Sequence, residues 1–150
     1  MRSLIAIAAL VASVSASAGE LDGKAIFCER PGYDRPNIVE FRDGNTVSWS
    51  IGVEGTQAVV KEYVGHAPSA NYKVSPTAIT WDSVAVFENR LDLETLELVT
   101  TLYSEGKPHD SPTIWQCEVV SSLDNLQKML EELREAKQAE IDQQMKNNKI

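Results

Sequence analysis

Two cysteines and two histidines are the side chains of this sequence best suited to metal-binding or acid–base chemistry. Cys28 and Cys117 each lie inside an apolar, strand-like run, whereas His66 and His109 lie in predicted loops far from both cysteines. A zinc site needs about four ligands at characteristic spacings. The sequence contains no C-x-x-C and no H-x-x-x-H pair. We therefore predict no metal site.

Catalytic motifs are also missing from the sequence. It contains no G-x-S-x-G elbow, no H-E-x-x-H, no G-x-x-x-x-G-K, no G-x-G-x-x-G and no D-x-D-x-D-G calcium loop. His109-Asp110 is the one His next to a carboxylate, and such a pair in a loop is typically solvated. Because no nucleophile accompanies it, we expect a non-enzymatic protein with no catalytic residues and no cofactor.

The first 18 residues have the three-part layout of a secretory signal peptide. Arg2 precedes the apolar run from Leu4 to Val14, and the small residues Ala16-Ser17-Ala18 form a cleavage site. The run is well short of the ~20 residues that span a bilayer, and Cys28 is too distant to carry a lipid anchor. We expect a periplasmic or secreted protein with no membrane span after cleavage.

Export determines how the two cysteines are interpreted. In an oxidising compartment, a lone pair of cysteines usually forms a disulfide, so we predict a Cys28–Cys117 bridge rather than a zinc site or a reactive thiol. The chain-entropy model assigns a crosslink that closes such a long loop about 4–5 kcal/mol of stabilisation. The bridge also requires the strands that contain the two cysteines to lie side by side.

Short strands separated by turn residues account for the stretch from Gly23 to Val120. Residues 47–53 alternate between apolar side chains and polar or small ones, which is the period of a strand with one buried face. Asp43-Gly44-Asn45 supplies residues that tolerate positive φ, so Ile38–Arg42 should pair with Val47–Ile51 as a hairpin. The other predicted strands are Ala25–Arg30, Ala58–Val64, Tyr72–Val74, Ala78–Trp81, Val84–Asn89, Leu96–Tyr103 and Ile114–Val120.

This succession of strands leaves no room for crossover helices. It predicts an antiparallel meander that forms a small barrel or sandwich, with the first and last strands close together and no free edges. We expect the following aromatic residues to lie in the core of that domain: Trp49, Trp81, Trp115, Phe87 and Tyr63.

A long C-terminal helix follows the strands. Ser121-Ser122 offers an N-cap, and no Gly or Pro follows it. An apolar stripe recurs at spacings of three and four residues from Leu123 to Leu133 and then stops. We expect the first half of the helix to dock on the β domain or on a twin helix, and the second half, including residues 137–150, to extend into solvent or fray. The predicted organisation is a signal peptide (1–18), a β-barrel-like domain (19–121) and an amphipathic helix (122–150).

The acidic charge is concentrated in the β domain. Residues 19–121 contain 8 Lys and Arg against 16 Asp and Glu, whereas residues 122–150 contain 5 against 6. Nucleic acid is an unsuitable partner, because phosphate binding needs a basic stripe. The acidity favours a cationic protein or a cell-envelope component as a partner. Acidity that only keeps an exported protein soluble and unassociated is nevertheless the more common explanation of such a charge.

One segment of the sequence resembles a group of exported proteins. The segment Asn89–Leu98, together with the I-x-W strand at Ile79–Trp81 and a downstream strand ending in Cys117, resembles small exported bacterial proteins of uncharacterised function. Within that segment, Arg90 is placed to pair with Asp92 or Glu94. This resemblance implies a structural signature and no activity.

The whole layout is similar to that of the periplasmic inhibitors of C-type lysozyme. Those inhibitors combine a signal peptide with a short β-barrel, and they have one Cys in the first strand and one in the last. Their S-G-x-x-Y and W-x-K-G-x-x-A stretches are approached here by Ser69-Ala70-Asn71-Tyr72 and Trp81-Asp82-Ser83-Val84-Ala85, which lack one residue and the Lys-Gly, respectively. The inhibitory residues therefore have no counterparts here.

Together these features predict an exported, non-enzymatic β domain that binds a protein or a cell-envelope component, with lysozyme inhibition as its sharpest version. A small-ligand carrier that uses the barrel interior is the alternative. The sequence leaves the oligomeric state open.

We predict that the mature protein begins at Gly19 and contains no free thiol, because Ala16-Ser17-Ala18 forms the cleavage site and the two cysteines pair. Intact mass and thiol titration of protein purified from its native compartment measure both properties. Two titratable thiols would contradict the predicted bridge.

Overall fold

In a computed structural model, residues 21–64, 71–83 and 86–148 are described. The predicted signal peptide, His66 and the stretches Ser69-Ala70 and Val84-Ala85 lie outside these residues. The described chain is mainly β and ends in a helix, which confirms the predicted fold class. Helical segments with the length and apolar character of a membrane span are absent from this part of the chain.

Ten strands precede the helix in the described residues. In chain order the elements are β1 (Lys24–Arg30), β2 (Tyr33–Arg42), β3 (Asn45–Glu54), β4 (Gln57–Val64), β5 (Lys73–Val74), β6 (Ala78–Ser83), β7 (Phe87–Asp92), β8 (Glu97–Ser104), β9 (Lys107–Pro108), β10 (Thr113–Val120) and α1 (Leu123–Asn147). The sequence placed the seventh strand too early, at Val84–Asn89, and missed the short β9. Both errors occur beside turn residues, where strand boundaries are weakly encoded.

The strands form one curled antiparallel sheet, a half-barrel, with the order β4-β3-β2-β1-β10-β8-β7-β6-β5. Two meanders, β1 to β4 and β5 to β10, are joined by the pairing of β1 with β10. The first and last strands are therefore neighbours, as predicted, but they lie in the middle of the sheet. Within the described residues β4 and β5 end the sheet without pairing with each other, so the expectation of no free edges is wrong. An isolated bridge joins Asn45, at the start of β3, to Asn71, just before β5.

The predicted hairpin of β2 and β3 is present, with Ile38 opposite Trp49 and Arg42 opposite Asn45, so β3 begins two residues earlier than the predicted strand. Its turn residues, Asp43 and Gly44, both have positive φ. This backbone geometry matches the twist of the flanking strands and favours Asp-Gly. The sequence motif therefore determined both the turn and the register.

The predicted disulfide is present at the centre of the sheet. Cys28 of β1 lies directly opposite Cys117 of β10, with the two Cα atoms 4.0 Å apart. Both side chains are buried on the inner face of the sheet, in a core that contains residues from both meanders: Ile26, Val39, Phe41, Tyr72, Ile79, Trp81, Leu91 and Leu98. The bridge thus links the two halves of the inner core covalently.

The outer face of the sheet holds a second core under α1. Leu126 and Leu130 are buried against Ala25, Ile38 and Val120. Ser122 caps the helix, because its hydroxyl accepts a hydrogen bond from the backbone N–H of Asn125 at 3.2 Å. The apolar stripe therefore docks on the β domain, as predicted for the first half of the helix.

The second half of α1 differs from the prediction that it extends into solvent. The helix continues to Asn147, and the Gln138 side chain hydrogen-bonds the backbone of Ala58 and Thr56. This contact is polar, so the apolar periodicity of the sequence did not reveal it.

The predicted aromatic core is only partly correct. Trp81 is buried, and Trp49 and Trp115 are half-buried, but Tyr63 is 57% exposed and Phe87 is 37% exposed. Tyr63 faces inward on β4, at one end of the sheet, and Phe87 begins β7, so the curled sheet does not enclose either ring. A fully closed barrel would have covered more of the inward-facing side of β4.

An ion pair with a buried carboxylate supports the outer face beside α1. Glu40 is 2% exposed, accepts two hydrogen bonds from the Arg42 guanidinium at 2.7 and 2.9 Å, and accepts a third from the Trp49 indole at 2.9 Å. These bonds to Glu40, more than the one to Glu62, raise the pKa of Arg42 above its ordinary value. The buried carboxylate is therefore fully engaged in holding β2 against β3.

We predict that Leu130→Ala lowers the free energy of unfolding by about 2–4 kcal/mol, because the substitution empties a packed site that is 3% exposed. Leu123 lies on the same helix and is 41% exposed, so Leu123→Ala should cost less than about 0.5 kcal/mol. Urea unfolding of the two variants measures the difference. Equal costs would show that α1 does not dock through this stripe.

Candidate functional site

Strand alternation places a set of carboxylates on the outer face of the sheet, on the half that α1 leaves uncovered. We call this surface the acidic face. Its carboxylates are all exposed and come from five strands: Asp82 of β6, Glu88 of β7, Glu97 of β8, Glu118 of β10 and Glu29 of β1. Successive residues of a strand point to opposite faces, so the register decides which residues share this surface.

The register brings these strands together in rows. Asp82 lies opposite Glu88, and Glu97 and Glu29 lie on either side of Gln116. Glu118 lies opposite Phe27, one row further along β10. Residues distant in the sequence therefore form one continuous surface across β6, β7, β8, β10 and β1.

An apolar centre lies among these carboxylates. Ile114 of β10 is 50% exposed and lies opposite the half-buried Val99 of β8, which in turn lies opposite Arg90 of β7. An isolated exposed apolar residue is ordinary, but here the isoleucine lies one row from Glu97 and Glu29 on a charged surface. An apolar centre within a polar rim is the usual anatomy of a protein-binding surface.

Basic charge is scarce on this surface. Arg90 is the one Lys or Arg among the outward-facing residues of the five strands, and its guanidinium lies 3.8 Å from the Asp92 carboxylate. Asp92 also accepts hydrogen bonds from the backbone N–H groups of Thr95 and Glu94, and these bonds, with the charge of Arg90, lower its pKa. Arg90 thus has the predicted partner, Asp92, and the face remains strongly negative.

An open cleft of about 330 Å³ lies at one end of the acidic face. Its walls come from the end of β6, the start of β7 and the turn between β8 and β9: Asp82, Val86, Phe87, Glu88, Tyr103, Glu105 and Gly106. The turn residues Glu105 and Gly106 both have positive φ, which folds the hairpin tightly beside the cleft. Aromatic and carboxylate groups therefore face the same space.

Tyr103 links the charge and the aromatic surface of this cleft. Its hydroxyl donates a hydrogen bond to Glu88 Oε2 at 3.0 Å, and its backbone N–H donates to the Val86 carbonyl at 2.7 Å. The hydrogen bond to Glu88, followed by partial desolvation and the charges of Glu88 and Asp82, raises the pKa of Tyr103 above 10.0. The phenol stays protonated, and the carboxylates supply the negative charge.

A smaller cleft, of about 180 Å³, lies near the disulfide. It is lined by Phe27, Glu29, Gln116, Cys117 and Glu118. Phe27 also packs against the core under α1. The second cleft therefore connects the acidic face with the edge of the helix-covered surface.

His109 and Asp110, which the sequence indicates are a solvated pair, lie outside this site. His109 and Asp110 are exposed, and the His109 backbone N–H donates to the Leu102 carbonyl at 2.8 Å, which fixes the loop after β9. Groups of three or more His, Cys, Asp or Glu side chains placed to hold a metal ion are absent from residues 21–64, 71–83 and 86–148.

The lysozyme-inhibitor resemblance falls mainly on core residues. Tyr72 is buried, and its hydroxyl donates to Asp22 Oδ1 at 2.8 Å. Trp81 is buried in the inner core. Among the described residues of the two stretches, Asp82 lies on the acidic face.

Sequence reasoning found the excess of acidic residues in the β domain but not the acidic face. Ile114 and Val99 look like ordinary core residues in their strands, because period two shows that a strand has two faces without showing which one is covered. The available signal was the alternation Ile114, Gln116, Glu118, which places polar residues on the same side as the isoleucine.

Comparisons with models of protein families, with curated proteins and with solved structures find no match to this chain. A function must therefore be sought in the chemistry of the acidic face. Its exposed carboxylates attract ammonium and guanidinium groups, and its apolar centre suits an apolar group of a partner.

We predict that Glu88→Gln lowers the pKa of Tyr103 toward its ordinary value, because the substitution removes the negative charge that disfavours the phenolate. Ultraviolet titration of tyrosinate, with Tyr103→Phe identifying the signal, measures the shift. Glu97→Gln is the control, since that carboxylate shares the face without bonding Tyr103. An unchanged pKa in Glu88→Gln would contradict the assigned interaction.

Proposed function

We propose that this protein is an exported, non-catalytic β domain that binds a cationic protein or cell-envelope component through the acidic face. The observation that carries the proposal is the continuous outer surface that the exposed Ile114 shares with Asp82, Glu88, Glu97, Glu118 and Glu29. The partner would place Lys or Arg side chains against the rim and an apolar group against the centre.

The position of α1 supports this assignment. The helix covers the outer face of β1, β3 and β4 and the end of β10, and it buries Ala25, Ile38 and Val120 there. The uncovered half keeps an isoleucine exposed. Exposed carboxylates alone would serve solubility, but solubility does not require an apolar side chain at their centre.

Electrostatics determine what kind of association is expected. Exposed charges are screened over about 8 Å at physiological salt, so the carboxylates should act mainly on the association rate and on partner choice. The apolar centre and the two clefts would contribute to the lifetime of the complex. Binding should therefore weaken as salt rises without disappearing.

The disulfide supports an extracytoplasmic location. Cys28 and Cys117 are bonded, and disulfides persist mainly in oxidising compartments such as the periplasm or the extracellular medium. The predicted signal peptide at residues 1–18 fits the same location.

The packing of the interior favours a binding module over a small-ligand carrier. A carrier needs an empty apolar interior, whereas here Phe41 packs edge to face against both Tyr72 and Trp81, with ring centroids 5.0 and 6.0 Å apart. Both clefts described above open on the surface rather than between these rings.

C-type lysozyme, a cationic envelope-active enzyme, is the most specific partner to test. The resemblance in layout and the acidic face favour binding. The Lys-Gly of the inhibitor pattern is missing from the stretch that begins at Trp81, so we expect weak inhibition of lysis or none.

We predict that Glu97→Gln combined with Glu118→Gln slows association with C-type lysozyme and with oligolysine by at least about threefold at low salt, because both charges lie on the acidic face. Surface plasmon resonance at several salt concentrations measures the rate, and relief of lysis tests inhibition separately.

The matched control is Glu132→Gln combined with Glu135→Gln. These two exposed carboxylates lie on α1, so the control changes the net charge equally at a different place. A larger effect of the first pair would support the acidic face. Equal effects of the two pairs would show that only the overall charge matters, and no measurable association with either probe would contradict the proposal.

A further inference from the structure

Strand β4 ends the sheet on one side. It pairs with β3 over its whole length, from Glu54 opposite Gln57 to Val47 opposite Val64. Among the described residues, its other edge pairs with no strand. A long free edge presents backbone donors and acceptors that can pair with another strand.

The direction of the free groups follows from one hydrogen bond. The Ala58 N–H points away from β3, because it donates to Gln138 Oε1 at 2.8 Å. Alternate residues of a strand point their N–H groups to the same side, so the N–H groups of Val60 and Glu62 also point outward. The edge therefore offers a regular row of donors and acceptors beyond Ala58.

At the start of this row, the Gln138 side chain makes the hydrogen bonds that the backbone of an added strand would make. Its Oε1 accepts from the Ala58 N–H, and its Nε2 donates to the Thr56 carbonyl at 3.1 Å. A residue of a parallel neighbouring strand makes this same pair of bonds, to one N–H and to the carbonyl two residues before it. The side-chain amide thus occupies the free backbone groups of β4 beside the β3–β4 turn.

The β4 sequence is suited to antiparallel pairing with itself. When the pairing is centred on Lys61, Val60 lies opposite Glu62 and Ala58 lies opposite Val64 of the second copy. Each β4 residue whose backbone N–H and C=O point away from β3 then has a pairing partner. On the inner face, Val59 then lies opposite Tyr63 of the second copy, and aromatic and β-branched pairs stabilise sheets. This arrangement would cover Tyr63, which is 57% exposed.

Charge does not prevent this register. Lys61 would face Lys61 of the second copy, but each ammonium lies 3.3 Å from the Glu54 carboxylate of its own chain. The like charges are therefore partly compensated before the strands meet. The Ala58 N–H, which the full register requires, is occupied by Gln138.

We propose that the free edge of β4 is a pairing surface for the β4 strand of a second copy of this chain, and that Gln138 of α1 is the cap that keeps it closed. Release of the cap frees the Ala58 N–H in both copies. Pairing can then extend from its centre at Lys61 to both ends of β4.

Gln138→Ala tests the cap. We expect the wild type to sediment as a monomer and the variant to form dimers, with the dissociation constant lowered by roughly tenfold or more, since the released edge adds backbone hydrogen bonds at both ends. Sedimentation equilibrium over a range of concentrations measures it. Gln143→Ala, at another exposed glutamine of α1, is the matched control and should behave as the wild type.

A second variant tests the edge. Val60→Pro removes an outward N–H and leaves the bonds to β3 in place, a change that edge strands tolerate. Added to Gln138→Ala, it should restore the monomer, with thermal unfolding as the check on folding. If the double variant does not fold, hydrogen exchange of Gln138→Ala replaces it, and the Val60 and Glu62 amides should become protected as concentration rises.

Each of three outcomes would overturn the proposal. The first is that Gln138→Ala sediments as the Gln143→Ala control does, and the second is that a folded double variant still forms dimers. The third is that the Val60 and Glu62 amides exchange at the same rate in the monomer and the dimer.

Discussion

The pairing of β1 with β10 is the constraint on which the rest of the structure depends. Each of the two meanders is a local structure built from hairpins, and this one long-range pairing joins them into a single sheet. The Cys28–Cys117 bridge fixes the pairing at its centre. Bringing the two strands together costs the closure entropy of 89 residues of separation, and the crosslink removes about 4–5 kcal/mol of that entropy from the unfolded state.

Both faces of the sheet follow from this pairing. On the inner face it unites apolar residues of the two meanders around the disulfide. On the outer face it places Val120, Ala25 and Ile38 side by side, and the apolar stripe of α1 docks on that surface. The helix is long enough to reach Ala58 but lies on one half of the sheet, so the other half of the outer face keeps Ile114 and its surrounding carboxylates exposed. The same helix thus leaves the acidic face exposed and hydrogen-bonds the free edge of β4 through Gln138.

The features that the sequence predicted well are those with local physical causes. Asp43-Gly44 determined a tight turn and, through it, the register of the first hairpin, and Ser122 with the leucine stripe determined the start and the docking face of α1. The disulfide was predictable because the sequence contains two cysteines and a signal-peptide pattern that indicates an oxidising compartment, so one pairing was available. The exposure of Tyr63 was not predictable, since an inward-facing residue is buried only where the sheet curls around it. The interaction of Gln138 with β4 was hidden for a related reason: one polar contact across about 80 residues leaves no periodic trace.

The sequence by itself determined the class of this protein: a signal-peptide pattern, a β domain stapled by one disulfide, a terminal helix and a strongly acidic body. Turn residues, alternation and charge are local or additive properties, so they can be read without knowing which strands are neighbours. Only the tertiary structure decided where the sheet opens and which half of its outer face the helix covers. It therefore also decided that acidic residues from Glu29 to Glu118 share one surface, because strand order and register are set by the packing of the whole sheet and a shift of one residue would have moved each of these side chains to the opposite face.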